Sequence, residues 1–305
     1  MWLFLKSKFA KQKRKFNMIG YLLILLFTIL NLGESIAVKE YAKRHGSGGM
    51  LMNAVIALFS ALFFLVTDKG GFYVPEGMLP FALINVCLYA AGFYLTYIAF
   101  RIGPYGLTSL ISRFSLAITA FYGIIFLKEP ISVLTYVGFA LIACAMFLIN
   151  RRGKSDSDED GCISAKWLIC ILTSVVANGF IAILTRMQQR RWNDACSNEF
   201  QVVSIGGCFI LLTILGLITD RDKLSAVLKR GSLYGAAAGI FNGAKNFTTL
   251  AIYLYLPISI VGSLQTGLGM VVAYLAAILI YKEKYTLYQK LGVLAGALAV
   301  VLLAI

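Results

Sequence analysis

The chain has 305 residues, of which 59% are hydrophobic and 14% charged, against about 25% charged in a soluble domain. A soluble protein of this size has too much surface to hide so much apolar side chain, which excludes soluble enzymes, disordered chains and secreted disulfide scaffolds and leaves an integral membrane protein. The formal net charge of +14 sits mostly in loops and an N-terminal arm, so it reads as topogenic charge meeting lipid headgroups and not as a nucleic-acid surface.

Met1–Asn17 is a basic arm holding Lys6, Lys8, Lys11, Lys13, Arg14 and Lys15, without the small-residue cleavage pattern of a signal peptide. Beyond it, runs of about 20 apolar residues, the length that crosses a bilayer, follow one another. They lie at Met18–Val38, Gly49–Thr67, Met78–Phe100, Pro104–Phe126 and Ile131–Asn150, and then at Trp167–Gln188, Glu199–Thr219, Ser232–Leu256, Ile258–Ile280 and Tyr285–Ile305. The pattern predicts an all-α membrane protein of ten transmembrane helices, with loops too short to hold an extramembrane domain. The longest polar gap, 151–166, divides the runs into two sets of five, 18–150 and 167–305. An even number of spans puts both termini on one side. The basic arm predicts that side to be cytoplasmic, although the loops then left outside carry more Lys and Arg than those inside; the arm is weighted more because the first helix usually dominates.

The two sets repeat each other. Asn31 precedes Lys39 at the spacing by which Asn178 precedes Arg186, and Lys43-Arg44 and Arg190-Arg191 follow alike. Gly103-Pro104 and Leu256-Pro257 open the fourth span of each set, Lys128-Glu129 and Lys282-Glu283 close it, and Gly138 and Gly292 match in the span after. Five is odd, so the second repeat is expected upside down relative to the first. Inverted repeats characterise secondary transporters, whose solute site lies near the midplane between the halves.

These motifs, above all LKEPISVLTYVGFALIACAMFLIN and its weaker echo IYKEKYTLYQKLGVLAGALAVVLLA, resemble the drug/metabolite transporter superfamily, and within it the paired EamA-type unit. The resemblance covers Met18 to Ile305. It implies alternating access, with proton or exchange coupling, for cargo among amino acids, organic cations, sugars, nucleotide-sugars or phosphorylated metabolites. The short loops are more similar to those of a bacterial plasma-membrane member than to those of an organellar one.

A polar stripe inside a span must face protein or water, because lipid-facing surfaces are apolar. Asn242, Lys245, Asn246, Thr249 and Tyr253 share one face of the eighth span, with Lys245 at its centre. There a charge costs roughly 2.5–3.5 kcal/mol or more, and needs water, an acidic partner or an anionic ligand. Gly235, Gly239 and Gly243 of the same span form a small-residue ridge suited to close helix packing. Ser109, Ser112 and Arg113 cluster in the fourth span, where the guanidinium suits a carboxylate or phosphate. Asn31 and Glu34 lie on one face of the first; Glu34 is a counter-ion to Lys39, Arg113 or Lys245, a titrating coupling group, or a partner for a substrate amine. Tyr89, Phe93 and Tyr97 form a four-residue-spaced stripe in the third span, more often a sign of packing, in which Tyr97 carries a hydroxyl needing a partner. Ser259, Ser263 and Thr266 share a face of the ninth span beside Gln265, and Ser174, Asn178 and Thr185 of the sixth read as interhelical hydrogen-bonding residues.

The candidate substrate-binding set is therefore Lys245, Arg113, Asn242, Asn246, Tyr253, Gln265, Asn31 and Tyr97, with Glu34 as coupling group or counter-ion. The expected activity is secondary active transport of a small polar metabolite, carboxylate- or phosphate-bearing or zwitterionic. Export of amines or organic cations on Glu34 is the alternative; a channel or a membrane enzyme is disfavoured, the latter for want of convergent nucleophile, base or metal ligands. No cofactor, metal site or nucleic-acid partner is expected. The expected partners are a small-molecule substrate, membrane lipids and a coupling proton or exchanged solute, with the oligomeric state left open, a homodimer included.

Overall fold

The structure, a computed structural model, describes residues 2–45, 48–68, 71–112, 114–128, 133–150, 164–193, 196–256, 258–282 and 286–304. Among them every regular element is helical. The first half comprises α1 (Trp2–Arg44), α2 (Gly49–Thr67), α3 (Met78–Ile102), α4 (Tyr105–Ser112), α5 (Ser115–Leu127) and α6 (Val133–Asn150). The second comprises α7 (Ala165–Arg191), α8 (Ser197–Thr219), the short turn α9 (Leu224–Ala226), α10 (Ser232–Tyr255), α11 (Ile258–Leu279) and α12 (Leu287–Ala304). α1 runs unbroken from Trp2 for 43 residues, so the basic arm is helical and continuous with the first span.

One expectation changes. The run Pro104–Phe126 is two helices, interrupted between Ser112 and Ser115. No proline or glycine lies between Tyr105-Gly106 and Tyr122-Gly123; instead, hydroxyls turn back onto the backbone. Thr108 Oγ1 donates to Pro104 O at 2.7 Å, Ser112 Oγ to Thr108 O at 2.8 Å and Ser115 Oγ to Ser112 O at 2.9 Å. Such bonds compete with the helical ladder, although the same bonds at Thr248 and Thr249 leave α10 unbroken. Among the described residues, five helices are long and apolar enough to cross a membrane: Met18–Arg44, Gly49–Thr67, Met78–Ile102, Ala165–Arg191 and Ser197–Thr219. The broken helix is too short in either piece, and α10 is long enough but carries the polar stripe of Asn242, Lys245, Asn246 and Thr249. Tyr136–Ala145 and Gly267–Leu279 are shorter apolar stretches.

The packing follows a half-rotation that exchanges the repeats. α1 lies on α10 and α3 on α7, α2 on α8, α5 on α11 and α6 on α12. Contacts at the helix ends give the directions. Lys39, late in α1, bonds to Phe100 and Gly103 at the end of α3, so α1 and α3 run the same way. Trp167, early in α7, packs against Gly103, while Trp192, just past its end, meets Phe81 early in α3. Thus α7 runs against α3, and so against α1. At the α2–α10 crossing, a Cβ on Gly239 would come within 2.6 Å of the Ile56 carbonyl oxygen, so the small-residue ridge sets how closely these helices meet. Outward faces are apolar: Leu22, Ile29, Val66, Leu83, Ile218 and Leu233 are exposed without a protein partner layer, the surface a hydrocarbon solvent requires.

Lys128 and Lys282 end α5 and α11 with the same left-handed backbone, φ 53° in each. The Lys-Glu repeat motif is therefore a matched pair of helix stops; Glu129 and Glu283 lie outside the described residues.

Candidate functional site

Between the halves is a cavity of about 200 Å³, smaller than the roughly 300–1,000 Å³ that hold drug-sized ligands. Its walls come in repeat-related pairs: Asn31 with Asn178, Glu34 with Ile181, Val38 with Thr185, Tyr89 with Asn242, Gly92 with Lys245, Phe93 with Asn246, Thr96 with Thr249 and Phe100 with Tyr253. Helical spacing of three and four residues explains why each wall presents these positions; the half-rotation explains why both walls present the same ones.

The α1–α10 wall holds an ion pair. Lys245 Nζ lies 2.5 Å from Glu34 Oε2, with the two side chains 16% and 14% exposed. Asn242 Nδ2 donates to Glu34 Oε1 at 2.7 Å, and Lys245 Nζ also donates to Asn31 Oδ1 at 3.5 Å. Asn242 Oδ1 in turn accepts from Asn246 Nδ2 at 3.0 Å, with the Ser60 hydroxyl of α2 at 3.2 Å. Glu34 is thus the counter-ion of Lys245 and, through Asn242, the centre of a network. Lys39, another partner considered for it, is spent elsewhere, donating to Phe100 O and Gly103 O at 2.8 Å each.

The α3–α7 wall is uncharged. Tyr89 Oη donates to Gln201 Oε1 of α8 at 2.9 Å, and Gln201 Nε2 donates to Thr185 Oγ1 at 3.4 Å. Thr96 and Ser174 share a hydroxyl bond of 2.5 Å, and Asn178 Nδ2 donates to Ser174 O at 2.8 Å. The third side is the broken helix and α11, where Ser109, Ser112, Ser115 and Gln265 line the cavity. Gln265 is 1% exposed, and its Nε2 has no hydrogen-bond partner among the described residues; neither has the Ser109 hydroxyl. Buried donors without partners are costly.

The structure therefore brings Lys245, Asn242, Asn246, Tyr253, Gln265, Asn31 and Glu34 to one cavity. Arg113 lies outside the described residues. Tyr97 is corrected: it is 2% exposed and does not line the cavity, because it stands a turn beyond Phe93, where its ring packs on Gly49 and in a cluster with Tyr41. The same stripe's Tyr89 and Phe93, read as packing, do line it.

A model of the EamA-like transporter family matches the chain twice, over residues 18–151 and 165–305. The chain belongs to the EamA-like transporter family. No curated protein is similar to it in sequence. A crystal structure of another protein has the same fold, with a TM-score of 0.64 at 12% identity, covering 95% of this chain and 98% of the other. As a member of the drug/metabolite transporters, this EamA-like transporter is an integral membrane protein of a family of transporters, not enzymes.

Its cavity also contains residues that the sequence did not single out. Asn53 and Ile56 of α2 and Gln201 of α8 line it. Gln201 sits one turn into α8, soon after the polar Ser197-Asn198-Glu199, where it reads as interfacial, so the sequence carried no signal for it. Asn178 and Thr185 had a signal, their identity of position with Asn31 and Val38, which a reading of each repeat alone discards.

Proposed function

We propose that this EamA-like transporter is a secondary carrier moving a small polar metabolite across the plasma membrane by alternating access. In this reading the chain crosses ten times, as two inverted five-helix repeats with both termini cytoplasmic. The carrying observation is the Glu34–Lys245 pair facing a cavity that both repeats line. Two similar halves give two nearly isoenergetic arrangements about one central site. The solute carries a carboxylate or phosphate: its anionic group takes Lys245 from Glu34, while Asn242 and Asn246 re-pair around the displaced carboxylate. Arg113 supplies a second cationic contact, and Gln265, Asn31 and Tyr253 fix orientation. A zwitterion also fits, its ammonium taking Glu34 as Lys245 turns to the carboxylate. Coupling runs through Glu34, which exchanges partners in each cycle, with a proton or a counter-solute.

Flux in proteoliposomes tests this. Counterflow of carboxylate- and phosphate-bearing solutes is expected in the wild type and lost, at least tenfold, in Lys245→Ala and Arg113→Ala. Normal flux and affinity in both variants overturn the site. Stabilisation of the purified protein by amines alone, and not by carboxylates, overturns the anion preference in favour of cation export on Glu34.

A further inference from the structure

The two repeat-related cations Lys39 and Arg186 sit at opposite ends of the cavity in unlike states. Lys39 holds the end of α3: its ammonium donates to Phe100 O and to Gly103 O, the cap residue, at 2.8 Å each. A cation there satisfies carbonyls that no helical turn can reach and meets the negative end of the helix dipole. Around this contact the two halves are sealed by rings. Phe100 stacks on Tyr105 at 5.7 Å and Tyr105 on Tyr281 at 4.5 Å, while Tyr41 packs against Tyr97 and Tyr234.

At the other end the half-rotation puts Arg186 beside the end of α10, whose corresponding carbonyls are those of Tyr253 and Leu256, again a ring residue and a cap residue. Arg186 does not hold them. Its guanidinium lies 5.3 Å above the Tyr253 ring and its Nη1 donates to Gln189 of its own helix at 3.4 Å. Its Nε is buried with no hydrogen-bond partner among the described residues. Among the described residues the ring seal is not repeated, although Gln188 and Gln189 there are buried. Where the Lys39 end has Tyr41 and Ala42, the Arg186 end has Gln188 and Gln189. Apolar packing there divides into two clusters, one of α1, α10 and α11 around Ile24, Phe27 and Ile252, the other of α3 and α8 around Met78 and Phe200.

We propose that Lys39 and Arg186 are alternating clamps on the C-termini of α3 and α10. This structure is the state with Lys39 engaged and Arg186 released; in the opposite state Arg186 leaves the Tyr253 face for the α10 carbonyls as Lys39 lets go of α3. The proposal rests on the alternating-access reading and adds to it the residues that hold each end shut. A cation on the first helix of a repeat reaches the third helix of that same repeat, so each clamp fixes the shape of its own half and thereby the end that half closes.

Spin-label pairs on the full-length protein in liposomes test it, in a background without native cysteines. Lys43→Cys with Arg101→Cys reports the Lys39 end. Arg190→Cys with Leu254→Cys, the repeat-related pair, reports the other. All four positions are exposed. Wild type is expected to give a short 43–101 distance and a long 190–254 distance as the major population, with the reverse as a minor one that grows with transported solute. Lys39→Met is expected to make the reverse population the major one, and Lys39→Arg to restore the wild-type order. Arg186→Met is expected to remove the reverse population altogether, which keeps the proposal testable should Lys39→Met fold poorly. If wild type switches and both methionine variants switch like it, the clamps are refuted and alternating access stands. If wild type holds one pair of distances with or without solute, alternating access falls and the clamps with it.

Discussion

The α1–α10 and α7–α3 pairs are the same piece of architecture used twice, yet their inner faces carry different chemistry. Asn31 and Asn178 match, as do Thr96 and Thr249, so the frame of each wall is conserved by the half-rotation. At the depth of the charges the identity ends: Glu34 and Lys245 of one wall stand where the other has Ile181 and Gly92. One wall is an ion pair tied to three amides; the other is a chain of neutral bonds from Tyr89 through Gln201 to Thr185. On the proposed carrier reading, symmetry supplies the two-state mechanics and the break in symmetry the recognition. A site made of two like walls would offer a solute two equivalent poses, whereas this one fixes which end of a polar molecule faces which repeat.

The strongest way to break the contrast is to remove one charge. Lys245→Ala leaves Glu34 partly buried and unpaired, and is expected to cost about 3 kcal/mol of stability, seen as a large fall in the melting temperature of the purified protein. The double variant Glu34→Gln/Lys245→Gln restores a neutral hydrogen-bonded wall like the α3–α7 one, and should recover most of that loss while solute binding stays absent. A double variant as unstable as the single one would show that the pair holds the helices together instead of serving the cavity.

The asymmetry was half legible in the sequence. Spacing put Asn242, Lys245, Asn246 and Tyr253 on one face and Asn31 and Glu34 on another, and the repeat showed that Lys245 has no charged counterpart. Spacing could not say which cation Glu34 meets, because Lys39, Arg113 and Lys245 are all within reach of a long side chain until helix depth and direction are known. It also misjudged Tyr97, since residues four apart share a face but differ by about 6 Å in depth, and here that step passes from cavity to aromatic seal. The break in the fourth span stayed hidden because the apolar composition of the stretch reads as one continuous helix, with neither proline nor glycine to mark the interruption.

A smaller effect is expected from the neutral wall. Tyr89→Phe keeps the ring, which packs against Phe93 at 5.7 Å, and removes the bond to Gln201. The loss should be about 1 kcal/mol, measured by thermal or denaturant unfolding, with solute affinity reduced only slightly. A loss of affinity as large as that of Lys245→Ala would mean that both walls grip the charged part of the solute, against the division of labour drawn here.

The smallest effect tests whether the missing charge on that wall is a matter of space. A Cβ at Gly92 would find the Asn178 amide nitrogen at 3.4 Å and nothing nearer, an ordinary contact. Replacing a mid-helix glycine by alanine gains about 0.5–1 kcal/mol in backbone entropy, so Gly92→Ala should be neutral or slightly stabilising by unfolding. That outcome would mean the wall tolerates a side chain at the position that corresponds to Lys245 and lacks a cation for reasons of recognition. Destabilisation by more than 1 kcal/mol would mean instead that close packing against Asn178 forbids one, and the chemical difference between the two walls would then follow from how tightly each helix pair is drawn together.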